Sequence, residues 1–404
     1  MSLVVQKYGG TSVADPDRIR EVAENIARAR RRGGVVAVVS AMGKETDDLY
    51  YLASQVSKNP PGREMDMLIT AGERKATALV TMALEGMGCP ATSFTGSQAG
   101  FITDTDHQNA KILEVRPDRL QEAIAAGRVP VVGGSQGVST DRNVTFLGRG
   151  GSDTTAVALA EALRADACEL YTDVSGVFTA DPRIVPSARR MNGLSFDEML
   201  EMTATGCPKP AMRAVEYART HRVPLHVRSA FTWEPGTWVT EEDPTMEQAI
   251  ITAVTHDLSE AKVTVNAVPD APGIAARLFR ALADNSVNVD MIVQNVSHDG
   301  TTDISFTTPS GDATTASSVA TDLASSIGAG SVVVDDGIGR VSLIGAGMKT
   351  HPGVAATMFE TLAANDINIE MISTSAIRIS CVVRQDQVED AVVKLHEAFK
   401  LDVA

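Results

Sequence analysis

No stretch of this chain approaches the ~20 consecutive apolar residues that a membrane-spanning helix requires. The chain opens on the apolar run Leu3-Val4-Val5, without the basic region, long apolar core and cleavage site of an export signal. The cytoplasm is therefore the expected location. Cysteine is scarce: Cys89, Cys168, Cys207 and Cys381 lie far apart, form no CxxC pair and no cluster with the seven histidines, and so support neither a zinc site nor a disulfide framework. Positive charge is in deficit, with 36 Lys and Arg against 51 Asp and Glu and a formal net charge of -15. An average surface of that sign repels nucleic-acid backbones and anionic lipid, so neither is an expected partner. Any anionic substrate must then be met by local cationic groups. A Walker G-x-x-x-x-G-K-[ST] loop is absent as well.

What is present is a globular composition, 44% hydrophobic and 22% charged over 404 residues, enough for two or three domains. Up to about residue 240, short β-branched runs alternate with helical patterns. Leu3–Lys7, Val35–Ser40, Ala91–Thr95, Val129–Gly133 and Ala167–Thr172 read as strands; Asp17–Arg31, Asp66–Glu85, Ser152–Leu163, Phe196–Thr205 and Pro210–His221 read as helices. That rhythm implies an α/β unit whose mainly parallel sheet is sandwiched by helices. Turn formers and acidic residues gather between Trp233 and Pro244, which marks a boundary.

Beyond it the sequence repeats at a spacing of 80: Pro272-Gly273 matches Pro352-Gly353, and Phe279 to Ile292 matches Phe359 to Ile372. Shared Leu and Ala at helical spacing are common to many small α/β units. The matches of Asn285 with Asn365 and Asn288 with Asn368 are not, and they argue for duplication. In each copy an apolar strand leads through Pro-Gly into a helix, then further strands and a second helix, a ferredoxin-like α+β pattern. The expected domains are 1–245, 246–338 and 339–404, with strand 248–255 a candidate to complete the last of these.

Three glycine-bearing elements carry the chemistry. The first strand runs into Lys7-Tyr8-Gly9-Gly10-Thr11-Ser12 ahead of a helix. Two glycines let backbone N–H groups approach a polyanion, and Lys7 adds a full charge there. Alone, a Lys before Gly-Gly is more often an ordinary strand-to-helix turn. The second cluster is Gly148-Arg149-Gly150-Gly151-Ser152-Asp153. Ser152 or Asp153 suits a helix N-cap, which leaves unexplained an arginine held between glycines, whose planar fork suits a carboxylate. The third, Thr172 to Arg183, follows an apolar strand, where nucleotides commonly lie in open α/β sheets. Asp173 and Asp181 also fit as plain turn residues. Gly345-Ala346-Gly347 lacks any such context and reads as a turn.

Together with Ser40-Ala41-Met42-Gly43, Thr46-Asp47, Thr70-Ala71-Gly72-Glu73 and Phe94 to Gly100, these elements resemble the amino-acid kinase superfamily and, within it, the aspartate kinases. The resemblance covers essentially the whole chain, since that family carries two tandem C-terminal ACT domains, ferredoxin-like units that bind amino acids. It implies transfer of the γ-phosphoryl group of ATP, with Mg²⁺, to the side-chain carboxylate of L-aspartate, the first step toward lysine, threonine and methionine. A carboxylate is already ionised at neutral pH, so the nucleophile needs no general base. The demands are positioning and charge neutralisation. Lys7 is assigned to the transferring phosphoryl group and Asp153 to orienting Lys7 or the substrate. By resemblance the substrate site comprises Thr46, Glu73, Arg149, Gly150, Gly151 and Ser152, with Arg149 on a carboxylate and Glu73 on the ammonium. The nucleotide is assigned to Lys7, Tyr8, Gly9, Gly10, Ser40, Thr172, Asp173, Phe178, Asp181, Arg183 and Lys209, with Mg²⁺ held by the phosphates and no protein metal site. Lysine or threonine, or both, is the implied effector, touching Asp270, Gly273, Ala275 and Gln294 of one ACT unit and Asn368 and Ile369 of the other. A homodimer or higher oligomer through the ACT units follows.

Two positions depart from the family pattern. Pro208 stands where a nucleotide-side lysine is usual, displacing Lys209 by one, and Ala376 stands where the regulatory half usually carries a glutamate. The second departure predicts altered feedback inhibition. Another carboxylate kinase of the superfamily, or a catalytically weak amino-acid-binding regulator on a kinase scaffold, are the alternatives. Met246 is a candidate start for a separate regulatory polypeptide, as some relatives make.

Overall fold

The structure, a computed structural model, describes residues 2–232, 234–241, 250–295 and 300–403. Met246, Trp233 and the 242–249 part of the boundary stretch lie outside the described residues. Packing divides the chain into two units: residues 1–177, 190–204 and 208–246 form one, and residues 178–189, 205–207 and 247–404 the other.

The first unit runs β1 (Leu3–Tyr8), α1 (Pro16–Arg30), β2 (Gly34–Val39), α2 (Glu45–Val56), α3 (Gly62–Gly86), β3 (Ala91–Phe94), β4 (Phe101–Thr103), β5 (Ile112–Val115) and α4 (Asp118–Ala125). It continues with β6 (Val129–Gly133), β7 (Gln136–Ser139), β8 (Val144–Phe146), α5 (Gly151–Ala162), β9 (Ala167–Thr172), β10 (Gly193–Ser195), α6 (Phe196–Ala204), α7 (Met212–His221), β11 (Leu225–Ser229) and β12 (Thr237–Thr240). Eight strands form one sheet in the order β10-β12-β11-β9-β1-β2-β6-β3, and every pairing is parallel except β11 with β12. Strand β2, Gly-Val-Val-Ala-Val-Val, is buried at five consecutive positions, the signature of a strand covered on both faces. The Asp15 carboxylate caps α1 by accepting the N–H groups of Asp17 and Arg18, and Pro16 opens the helix without wasting a donor. In α5 every residue from Gly151 to Ala160 is buried, which explains its run of small Thr, Ala and Val side chains.

Register then decides where the chemistry sits. Tyr8 lies level with Val39 and with Tyr171, and Val39 level with Gly133. The loops that follow β1, β2, β6 and β9 therefore emerge side by side at the carboxyl edge of the sheet, the usual ligand edge of such folds. A second sheet of the same unit, β5-β4-β7-β8, leads directly into Gly148 and Arg149. The sequence pattern did not reveal it, because its strands are only three or four residues long. Nor did it reveal α2, which buries only Ala53 and so lacks an apolar stripe.

The second unit contains β13 (Ala253–Asp257), β14 (Glu260–Pro269), α8 (Ile274–Asp284), β15 (Ile292–Gln294), β16 (Thr301–Pro309), α9 (Ala313–Ile327) and β17 (Val332–Asp335). The remaining elements are β18 (Ile338–Ile344), α10 (Val354–Ala364), β19 (Met371–Thr374), β20 (Arg378–Arg384) and α11 (Val388–Ala398). Two antiparallel sheets result, β15-β16-β14-β17 and β13-β18-β20-β19. Gly273 and Gly353 stand at equivalent helix starts with φ of 92° and 107°, a conformation that disfavours any residue with a Cβ. The first repeat is contiguous. The second borrows its fourth strand, β13, from upstream of the first, and thereby pairs the edge of β18. β13 joins the last repeat, the place considered for strand 248–255, while Ile338 already belongs to β18 and residues 178–189 pack with the second unit, so the units do not follow the contiguous ranges 1–245, 246–338 and 339–404. Among the described residues no helix is long and apolar enough to cross a membrane.

Candidate active site

A cavity of about 650 Å³ opens at the carboxyl edge of the eight-stranded sheet. At its floor the Lys7 ammonium, near the end of β1, lies 2.7 Å from Asp153 Oδ1 in the first turn of α5, both side chains being almost fully buried. Asp153 Oδ2 accepts the N–H of Ala211 at 3.0 Å. Burial by itself would raise the Asp153 carboxyl, but the charge and hydrogen bond of Lys7, the Ala211 N–H and the charge of Lys209 outweigh it and hold it below the usual range. Asp153 is thus a fixed anion that aims Lys7, and no proton acceptor near neutrality.

The glycines are there for close approach. A Cβ on Gly10 would stand 2.9 Å from the carbonyl oxygens of both Ala41 and Gly43, so the loops after β1 and β2 nest only because residue 10 has none. Arg149 sits between Gly148 and Gly150, both left-handed at φ 87° and 75°, and a Cβ on Gly150 would also meet the Ala211 Cβ at 2.6 Å. This turn throws the arginine outward. Its guanidinium reaches Asp47 Oδ1 on α2 at 2.7 Å, across an exposed mouth.

Glu73, on α3, is 3% exposed and also lines the cavity. Burial drives its carboxyl up to about 7, helped by the nearby charge of Glu45 and opposed by the N–H of Ala41. Among the described residues its Oε2 has no hydrogen-bond partner. A buried acceptor left open in a cavity wall is a seat for a cationic donor. Thr46, in the first turn of α2, lines the same cavity. Ser40, Thr172, Asp173 and Lys209 line it too, so Lys209 reaches the cavity although Pro208 precedes it. The cavity thus brings the cations of Lys7, Lys44, Arg149 and Lys209 beside the carboxyl groups of Asp47, Glu73, Asp153 and Asp173.

The chain matches the sequence profile of the Amino acid kinase family over residues 2–229, and ACT domain profiles over residues 263–328 and 341–399. It is 58% identical over 407 aligned residues to the aspartokinase of Mycolicibacterium smegmatis, covering 99% of this chain and 97% of that one. The chain belongs to the aspartokinase family. It is accordingly a kinase. The aspartate kinase of Synechocystis, 44% identical, aligns over 99% of this chain and 70% of that one with a TM-score of 0.56. Escherichia coli aspartokinase III in complex with aspartate and ADP shares the fold, with a TM-score of 0.84 over 98% of this chain and 99% of that one at 24% identity. The same enzyme in complex with lysine and aspartate aligns with a TM-score of 0.76 at 25% identity, over the same shares of the two chains.

Within this aspartokinase fold some expected residues stand apart from the cavity. The Tyr8 ring is fully buried, stacks on Tyr171 with centroids 4.8 Å apart and donates its hydroxyl to Gln6 Oε1 at 3.2 Å. It is a core ring, because strand alternation points it away from Lys7, and Tyr8 is not among the residues lining the cavity. Gly151 is a packing wedge: a Cβ there would lie 2.8 Å from the Leu147 Cβ. Ser152 does line the cavity, with its hydroxyl 2.9 Å from that of Ser135. Phe178, Asp181 and Arg183 belong to the second unit and are not cavity-lining residues. Asp181 instead accepts a bidentate bond from Arg183, which holds its carboxyl below the usual range.

Sequence reasoning missed Ser135 and Lys44 and gave Asp47 no role beyond its place in the Thr46-Asp47 motif; all three lie in the cavity wall. Ser135 is left-handed at φ 57° and is held by Thr155, whose hydroxyl accepts its N–H at 3.0 Å. The signal was available: Gly133-Gly134-Ser135-Gln136-Gly137 is another glycine cluster directly after a strand. In the regulatory unit, Asp270, Gly273 and Ala275 lie where β14 passes into α8 and Gln294 ends β15, while Asn368 and Ile369 lie between α10 and β19 of the other repeat. Asp270, Gly273, Gln294 and Asn368 are exposed.

Proposed function

We propose that the chain transfers the γ-phosphoryl group of ATP to the β-carboxylate of L-aspartate, forming 4-phospho-L-aspartate. The observation that carries this reading is one cavity holding the buried Lys7–Asp153 pair, the outward fork of Arg149 and the open carboxylate oxygen of Glu73. Arg149 takes a substrate carboxylate by exchanging Asp47 for it, and Glu73 with Thr46 takes the ammonium. Lys7 neutralises the phosphoryl group in flight, where positive charge is worth most. Gly9, Gly10, Ser40, Thr172, Asp173 and Lys209 receive the nucleotide. With Asp153 committed to Lys7 and no trio of metal-ligating side chains among the described residues, Mg²⁺ would ride on the ATP phosphates, supplying charge neutralisation there. Lysine or threonine bound at the ACT repeats of an oligomer would regulate the reaction, and the product would enter lysine, threonine and methionine synthesis.

The test is acyl-phosphate formation trapped with hydroxylamine, with L-aspartate, glutamate and acetylglutamate offered in parallel. Aspartate-dependent trapping is the expected result. Preference for either other acid would move the assignment to another carboxylate kinase of the superfamily.

A further inference from the structure

Behind Glu73, and outside the cavity lining, stands a second carboxylate. Glu45 opens α2 and packs against α3 where Gly72 leaves room: a Cβ on residue 72 would lie 3.4 Å from the Glu45 carboxyl carbon. Glu45 Oε1 is bonded to the Lys75 ammonium at 2.5 Å. Its Oε2 is buried with no hydrogen-bond partner among the described residues, as is Glu73 Oε2. Two carboxylates, each with one oxygen unanswered, therefore share the α2–α3 seam, and only Glu73 reaches the cavity. The other groups facing Glu73 are Tyr50 from α2, Arg74 beside it on α3 and the Ala41 N–H from the loop after β2.

We infer that Glu45 is a positioning residue of the amino-acid subsite: held by Lys75, it acts through Glu73 to make a proton the resident cation of the empty subsite, which the substrate ammonium must displace. This rests on the assignment of Glu73 to the ammonium. Two adjacent carboxylates cannot both stay ionised in a poorly solvated seam without a cation between or beside them. Lys75 answers Glu45, and the charge of Arg74 beside Glu73 is too small an influence to outweigh burial, which leaves Glu73 to take a proton. When the ammonium arrives it supplies the missing charge. The exchange balances as Glu73–COOH plus the substrate ammonium giving the Glu73 carboxylate–ammonium pair plus one proton released to solvent. Burial pushes Glu73 to about 7, so the exchange falls within an accessible pH range. Capture then weakens as pH falls, because the protonated fraction of Glu73 must first be discharged.

The deciding experiment combines Glu45→Gln and Lys75→Met with two readouts on the full chain. The first is the titration of the Glu73 carboxyl by carbon NMR in ligand-free protein, identified with Glu73→Gln. The second is KM for aspartate between pH 5.5 and 8.5. Glu45→Gln should lower the Glu73 midpoint and, for a shift of about half a unit, reduce KM at pH 6 about threefold while leaving KM at pH 8.5 nearly unchanged. Lys75→Met should move both in the opposite direction, since it leaves the Glu45 charge unscreened. Opposed shifts from two neighbours are not produced by loosened packing. An unchanged Glu73 midpoint in both variants overturns the inference. If the midpoints shift as stated but aspartate does not bind at any pH, the substrate assignment fails instead.

Discussion

The two units each bury an ion pair, and the pairs differ in what they face. Lys7 and Asp153 meet at the floor of an open cavity, with the charge of Lys209 also acting on Asp153. Arg340, 1% exposed on β18, meets Glu260 of β14 at 2.8 Å and also bonds Asp290, wholly within the regulatory unit. Residues 260 and 340 are equivalent at the repeat spacing of 80, as are 290 and 370. At the first of these equivalent positions the two copies carry opposite charges, Glu260 and Arg340, and pair with each other, whereas at the second both are acidic, Asp290 bonding Arg340 and Glu370 bonding Lys262. Lys262 with Glu370, and Arg384 with Glu370 and Asp335, extend the seam. The first pair fronts a cavity, whereas the second is enclosed between the two repeats of one unit, and removing one partner of either leaves a buried charge without its counterpart.

Breaking the comparison at the catalytic end should have the largest effect. Lys7→Met is expected to lower kcat by about 10²–10³-fold or more with little change in the regulatory unit, checked by hydroxylamine trapping together with thermal unfolding. Comparable activity in that variant would remove Lys7 from the transfer step. Next comes Arg340→Met, which leaves Glu260 and Asp290 without their cation and should cost about 3–5 kcal/mol in denaturant unfolding of the regulatory unit.

pH sharpens the contrast, because the two carboxyls shift in opposite directions. Burial and the charges of Asp257 and Asp290 push Glu260 up to about 7 in spite of Arg340. The folded unit then binds a proton that the unfolded chain has released, so this group's contribution is full below the ordinary carboxylate range and is lost as pH rises through 7. Asp153, held low, contributes above that range and loses its contribution on acidification through its folded value. Glu260→Gln should flatten the stability decline between about pH 5 and 7 in the regulatory unit, and an unaltered slope would exclude Glu260 as its source. The smallest effect is expected from Ala376→Glu, just after β19. Restoring a carboxylate there should tighten inhibition by lysine plus threonine; identical inhibition curves for both proteins would show that position 376 does not set feedback.

Much of the site was legible because its chemistry is local. Lys7 before two glycines, and Arg149 between two more, announce themselves within a few residues, since left-handed or crowded backbone demands glycine wherever the fold places it. The burial of the Tyr8 ring was not legible, because adjacency in sequence does not show the alternation that sends it into the core. The Asp47–Arg149 contact spans 102 residues and the Ser135–Ser152 contact 17, and neither separation matches a helical or strand period.

The sequence by itself determined the alternating α/β unit, the duplicated second unit and many of the residue types that meet in the cavity, because periodicity and glycine placement are written in short windows. Only the tertiary structure decided that β13 completes the second repeat rather than the first, that residues 178–189 pack with the regulatory unit, and that Glu73 stands with Glu45 behind it and one oxygen open. Strand partnership and burial are settled by segments far apart in the chain, and burial, weighed against the cations and N–H donors brought beside it, decides whether a carboxyl keeps its proton.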